Sequence, residues 1–297
     1  MRDLIYIIGS GRSGSTVMER VINSSPRCCG VGEIHALWRL PVANLMCSCG
    51  SRVPDCGFWS QALEQADIGP RELTRLAELE RSVVRNTYLM TLRYDLRRIR
   101  NDDRLAEFTA LQERLFVGVR AASGAEVVLD SSKAGPRAFV LAAGLDPVFL
   151  HAYRGAEDVI ASWRRPKFEP STGTPMKKPP VREAAIDWIK AEQAARSLRR
   201  SASVKRIDYL AFSSAPRDAL RAALEEHFAG LVDELAWQGQ STVRPAEVYH
   251  SVLGNPDRFN RDDIVIRPQH ASDRSKFGAG ERLIIRSVGK GLETIWP

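Results

Sequence analysis

Gly9-Ser10-Gly11-Arg12-Ser13-Gly14-Ser15-Thr16 stands between the apolar run Leu4-Ile5-Tyr6-Ile7-Ile8 and a helical pattern carried by Met18, Val21 and Ile22. A short apolar run reads as a buried strand, and the spacing after the glycines reads as one face of a helix. A strand that breaks into a glycine-rich turn and then a helix aims several backbone N–H groups at one point, beside the positive end of the helix dipole. Such a point suits phosphate or sulfate. Gly9 to Gly14 has the Gly-x-x-x-x-Gly frame of nucleotide-binding loops, but the residue after the second glycine is Ser15, where an ATP- or GTP-binding loop places Lys. The cation of this loop is Arg12 instead, so its charge meets a different part of the ligand.

Outward from this loop, strands are expected at Leu4 to Ile8, Cys28 to Val31, Val127 to Leu129, Val148 to Tyr153 and Val204 to Asp208, separated by helical stretches. That alternation predicts an α/β fold of three layers, with a central parallel sheet and the anion loop at its carboxyl edge. The 297 residues fit one domain, and 44% apolar content is ample for its core. Arg71 to Ala121 is polar, charged and helical, the pattern of a helical insertion. Residues 166–181 carry Pro170, Gly173, Pro175, Pro179 and Pro180 with Lys177 and Lys178, the composition of a mobile loop and a candidate lid.

A second constellation follows the strand ending at Tyr153. Arg154 precedes a helical stretch with Val159, Ile160 and Trp163 inward and Ser162 beside them. Arg154 and Ser162 lie eight residues apart, a gap of roughly 10 Å in a helix that a long Arg side chain can bridge. Both can hold one phosphate. Later in the chain come His250-Ser251-Val252-Leu253-Gly254-Asn255-Pro256-Asp257-Arg258-Phe259 and, after Asp208, Tyr209.

Together these segments resemble the sulfotransferases that use 3′-phosphoadenosine 5′-phosphosulfate (PAPS), in patches from Leu4 to Phe259. The resemblance implies a sulfotransferase fold with a P-loop-like phosphosulfate-binding loop and sulfuryl transfer from PAPS to a hydroxyl or amine. It implies that Arg12 contacts the bridging oxygen between phosphate and sulfonyl group, while Gly11, Ser13, Gly14, Ser15 and Thr16 cradle the 5′-phosphate. Arg154 and Ser162 would grip the 3′-phosphate, joined by Asn255 and Arg258 from the late segment, and Tyr209 takes the place of a tyrosine that stacks on adenine or else packs in the core. Lys133, in Asp130-Ser131-Ser132-Lys133, would reach the sulfonyl oxygens. Glu33, in Gly32-Glu33-Ile34-His35, is the first candidate for the base that takes the acceptor proton, and His35 the second. The acceptor, a small molecule or a lipid or glycan, is not named by these motifs.

A rival reading is a P-loop kinase or NTPase, for which Val127-Val128-Leu129-Asp130 imitates a Walker B strand. The missing Lys after Gly14 speaks against it. Lys and Arg total 43 against 36 Asp and Glu, a net +7 that suits an anionic ligand without requiring nucleic acid, and no helix-turn-helix or aromatic-basic interleaving accompanies it. The basic cluster Arg97-Arg98-Ile99-Arg100 reads as a solvated face. No apolar run reaches the length of a membrane span or signal core, so a cytoplasmic protein is expected. All five cysteines, Cys28, Cys29, Cys47, Cys49 and Cys56, fall early in the chain. No metal is expected, because Cys47, Cys49 and Cys56 supply only three local ligands and no His stands at a finger-like spacing. Thiols or a local disulfide remain, with thiols favoured in a reducing compartment.

Overall fold

The computed structural model describes residues 1–84, 102–169, 174–176, 178–247, 249–272 and 277–293. Strands β1 (Leu4–Ile8), β2 (Cys28–Gly32), β3 (Val127–Lys133), β4 (Val148–Tyr153) and β7 (Val204–Asp208) form one sheet in the order β2-β3-β1-β4-β7. All four pairings are parallel. The pleat of β1 sends Leu4, Tyr6 and Ile8 into one core, with Val128 and Phe149, and Ile5 and Ile7 into a second, with Leu129, Val148 and Leu150. Both faces are therefore covered, as parallel strands require. This is the expected α/β architecture, a parallel sheet flanked by helices.

β3 runs four residues past the expected end at Leu129, through Asp130, Ser131 and Ser132 to Lys133. These polar residues are buried, and buried polar groups need partners. Asp130 receives the Ser132 N–H at 2.9 Å and the Arg137 guanidinium, and the Ser131 hydroxyl donates to Glu19. The strand thus delivers Lys133 to the carboxyl edge of the sheet.

The stretch expected as a helical insertion contains helices Pro70–Val83 and Asp103–Ser123. The first is started by Gly69, whose N–H donates to Glu72 at 2.9 Å, and the second by Asp102, which receives the Arg104 N–H at 2.9 Å. The cluster Arg97 to Arg100 lies outside the described residues, as do residues 170–173 and Lys177 of the expected lid. The rest of that segment is not a bare loop: β5 (Phe168–Glu169) and β6 (Thr174–Pro175) pair antiparallel, and a helix begins at Val181. A further two-stranded ladder joins β8 (Thr242–Val243) to β9 (Ile264–Val265). Among the described residues, no helix is long and apolar enough to cross a membrane.

Candidate active site at the carboxyl edge of the sheet

The loop after β1 closes into helix Ser15–Ile22 through Gly14, which has a left-handed φ of 93°. A Cβ on Gly14 would stand 2.3 Å from Cδ2 of Tyr209, so only glycine lets the loop lie on that ring. Tyr209 opens helix Tyr209–Ser214, which is capped by Asp208 receiving the Leu210 N–H at 2.8 Å. The guanidinium of Arg154 lies 4.6 Å from the centre of the Tyr209 ring and donates to the Arg12 carbonyl at 3.2 Å. Loop, Tyr209 and Arg154 are thereby one packed unit. The Ser13 hydroxyl at its centre is fully buried and has no hydrogen-bond partner among the described residues. An orphaned donor in a glycine cradle fits an incoming anion.

Arg12 and Lys133, the two cations that the sequence assigns to chemistry, both have positive φ, 71° and 63°. Non-glycine residues bear a cost in that region, and such strain gathers where a side chain must point one way. Arg12 lies over the Trp163 ring at 4.7 Å and donates to Met176 Sδ at 3.5 Å. Burial pushes its pKa down, with Asp257 acting the other way. Lys133 Nζ donates to Glu33 Oε1 at 2.5 Å and to the Ser131 carbonyl at 3.0 Å. Arg12, Glu33 and Lys133 line one cavity of about 300 Å³ with Gly11, Gly14, Ser15, Thr16, Trp163 and Asn255.

His35 is only 7% exposed, and burial followed by the charges of Arg39, Arg137 and Lys133 pushes its pKa down to about 2. A ring that stays neutral to such acidity is a weak base. It precedes the short helix Ala36–Arg39, and it does not line the cavity. Ser162 sits on helix Ala156–Arg164, half-buried, next to the Trp163 that covers Arg12. The Walker-like Asp130 is fully buried against Arg137 and Ser132, and it too is absent from the cavity wall.

The opposite rim is a strap, residues 249–258. It enters beside Gly32, where a Cβ would lie 2.0 Å from Ser251 Oγ at a φ of 71°. Arg258 is almost fully buried and paired twice with Glu169, at 3.1 and 3.3 Å, while also donating to the Gly254 carbonyl at 3.0 Å. Lys167 answers in the reverse sense, donating to Asp257 at 2.7 Å and to Asn255 Oδ1 at 3.0 Å. Two crossed charge pairs therefore clasp the β5–β6 ladder to the strap.

Sequence reasoning missed Lys167, Glu169 and Met176, which lie in a proline-rich stretch without periodicity, and read Trp163 only as an inward residue of its helix. It also missed Glu19. This buried carboxylate receives the Gly32 N–H at 2.7 Å and the Ser131 hydroxyl at 2.5 Å, so it ties together the strand ends that carry Glu33 and Lys133. Burial raises its pKa to about 7, against the opposing hydrogen bonds from Ser131 and Gly32. A polar residue one turn into the loop's helix was the available signal.

The fold and the loop define an α/β protein with a glycine-rich turn between its first strand and first helix. Among solved structures, the sulfotransferase domain from the Synechococcus PCC 7002 olefin synthase has a similar fold: TM-score 0.52, 16% identity, 99% of this chain and 95% of that one covered. The sulfotransferase domain from the curacin biosynthetic pathway aligns with a TM-score of 0.45 at 15% identity, covering 97% of each chain. A sulfotransferase from Mycobacterium avium gives 0.41 at 13% identity, over 78% of this chain and 66% of its own. The fold shared with the olefin synthase domain is thus that of a sulfotransferase domain. No protein-family model and no curated protein matches the sequence.

Proposed function

We propose that the chain is a sulfotransferase that moves the sulfuryl group of PAPS to a hydroxyl or amine of a small-molecule, lipid or glycan acceptor. The observation that carries this reading is the meeting of Arg12, the glycine cradle and the Glu33–Lys133 pair in one cavity at the carboxyl edge of the sheet. The backbone N–H groups of Gly14, Ser15 and Thr16 face the 5′-phosphate at the helix N-terminus, with the Ser13 hydroxyl beside them, while the Ser13 N–H closes the turn on the Ser10 carbonyl at 3.3 Å. Arg154, Ser162 and Arg258 take the 3′-phosphate, with Asn255 holding the turn before Arg258, and Tyr209 the adenine side.

In the reaction an acceptor oxygen forms a bond to sulfur while the bond from sulfur to the bridging oxygen breaks. The electron pair of that bond leaves on the 5′-phosphate of 3′-phosphoadenosine 5′-phosphate, and Arg12 stabilises the charge that gathers there. Glu33 takes the acceptor proton. Lys133 has three N–H donors, so with one on Glu33 and one on the Ser131 carbonyl a third is left for a sulfonyl oxygen. Most of the catalysis in such a site is alignment of donor, sulfur and acceptor.

Calorimetry with 3′-phosphoadenosine 5′-phosphate and AMP tests the donor site. Charge-assisted contacts contribute about 1.5 to 3 kcal/mol each, so the bisphosphate should bind at least about tenfold more tightly. Equal affinity for the two nucleotides overturns the assignment of Arg154 and Arg258. Transfer of label from PAPS to a panel of alcohols, phenols and amines then identifies the acceptor.

A further inference from the structure

Cys47, Cys49 and Cys56 are free thiols in the loop that links the short turn Val42–Asn44 to helix Gly57–Gln65. Along the chain they are only three neighbouring ligands. In the fold a fourth arrives 194 residues after Cys56: His250, at the start of the strap, places Nδ1 at 3.4 Å from Cys56 Sγ and 3.5 Å from Cys47 Sγ. Cys49 Sγ lies 3.7 Å from Cys56 Sγ, and all four ligand atoms lie within 4.8 Å of one another.

We propose that Cys47, Cys49, Cys56 and His250 form a closed tetrahedral zinc site that fastens the strap to the body of the protein. The distances carry the proposal. With Zn–S near 2.3 Å and Zn–N near 2.0 to 2.1 Å, a tetrahedron has S···S edges of about 3.8 Å and S···N edges of about 3.6 Å. The distances of 3.7, 3.5 and 3.4 Å in the structure lie close to those edges. A sulfur pair at 3.7 Å is also far from the roughly 2.05 Å of a disulfide. Three soft thiolates with one imidazole favour zinc over hard cations such as magnesium or calcium, which need oxygen ligands.

The surroundings fit a ligand set held in advance. The imidazole of His250 is stacked on Phe58 with ring centres 4.4 Å apart and planes within 8°, and its backbone carbonyl receives Trp59 Nε1 at 3.0 Å. The backbone N–H groups of Cys49, Ser51 and Trp59 face the sulfurs of Cys47, Cys49 and Cys56, donors of the kind that orient metal-bound sulfur. Three thiolates and a divalent ion leave a net charge of −1. Arg261, which donates to the Ser48 carbonyl between two of the ligands, is placed to offset it.

The site has a structural task. Ser48 Oγ donates to the Tyr249 carbonyl at 2.6 Å and receives the Ser251 N–H at 2.9 Å, while the Ser48 N–H donates to the Ser251 carbonyl at 2.9 Å. Loop and strap are laced together around the ion. Beyond Ser251 the same strap supplies Leu253, Gly254 and Asn255 to the wall of the active-site cavity. With four protein ligands no position stays open for a substrate, so the ion holds shape rather than performing chemistry.

The test is metal content, which is independent of any transferase activity. The full chain, expressed with added zinc and purified under reducing conditions without chelators, should hold about one zinc per chain by inductively coupled plasma mass spectrometry. Replacement by Co²⁺ should give the thiolate charge-transfer absorption and intense visible bands of a tetrahedral sulfur site. His250→Ala and Cys56→Ser should each lower zinc affinity at least about tenfold, whereas His250→Cys should retain the ion. If a variant fails to fold, the wild-type zinc content and cobalt spectrum still decide. Wild-type protein without stoichiometric metal that also fails to bind Zn²⁺ in titration, or zinc retained undiminished by a folded His250→Ala, overturns the proposal.

Discussion

The two rims of the cavity are built by different physics. On the loop side, Gly14 lies on the Tyr209 ring, where a Cβ would clash, and Arg154 covers that ring at 4.6 Å and donates to the Arg12 carbonyl at 3.2 Å, with no carboxylate in those contacts. On the strap side, Arg258 meets Glu169 and Lys167 meets Asp257, and both links are ion pairs. In the proposed donor complex an anionic ligand would add to the first rim without displacing anything, whereas at the second it would compete with Glu169 for Arg258. On that proposal the loop rim is a preformed cradle, and the strap rim a clasp whose partner is exchangeable.

If that contrast is right, chemistry belongs to the preformed side, and the largest losses come from breaking it. Glu33→Gln keeps the shape beside Lys133 but cannot take a proton, so kcat should fall by about 10²- to 10⁴-fold with nucleotide affinity nearly unchanged. An aliphatic alcohol should suffer more than a phenol, which is already partly acidic. Full activity in Glu33→Gln, measured with both acceptors, removes Glu33 from the role of base. His35, neutral down to a pH of about 2, is then tested by His35→Ala.

Arg12→Ala should come next, lowering turnover by about 10²- to 10³-fold, as loss of a donor to the leaving group does. Its guanidinium packs on Trp163 and Met176 rather than in the core, so the fold should survive, as circular dichroism would verify. A normal kcat in Arg12→Ala would reduce Arg12 to a packing residue of the loop.

The strap rim should respond in the opposite direction. Glu169→Gln removes the charge that neutralises Arg258 while keeping a hydrogen-bond acceptor, so the bisphosphate nucleotide should bind several-fold to about tenfold more tightly. Glu169 is partly shielded from water, and added salt should narrow the difference. Unchanged or weaker binding by calorimetry would mean that Glu169 and Arg258 form a fixed brace and that no ligand reaches that guanidinium.

The same contrast explains what the sequence disclosed. The loop rim is local: eight consecutive residues announce it, and the apolar runs of β1 and β4 announce the strands on which it and Arg154 stand. The strap rim is assembled from partners 88 to 90 residues apart, Lys167 with Asn255 and Asp257, and Arg258 with Glu169, and no periodicity links such pairs. β3 was legible only to Leu129, because the buried Asp130, Ser131 and Ser132 find partners off the strand, Arg137 on the helix that follows and Glu19, 112 residues away from Ser131, which no strand pattern shows. His250 was noticed for its place in the late segment, but its approach to the cysteines becomes visible only once the strap crosses beside β2.

Glu19 sharpens the comparison last, through stability rather than catalysis. Its carboxyl is buried under the loop rim, and its pKa is raised to about 7 from an ordinary value near 4.5, so the folded chain holds a proton there that the unfolded chain releases. Stability from this group is therefore full below about pH 4.5 and declines as pH rises through 7, by an amount on the order of 3 kcal/mol. Glu19→Gln can still accept the Gly32 N–H and can donate to the Ser131 hydroxyl, yet it does not titrate. Urea midpoints taken from pH 5 to 8 should fall for the wild type relative to Glu19→Gln, with the two chains closest at the acid end. Parallel curves would show that Glu19 is ionised throughout, its charge carried by Ser131, Gly32 and nearby Lys133, and the loop rim would then rest on a buried charge network much as the strap rim rests on its ion pairs.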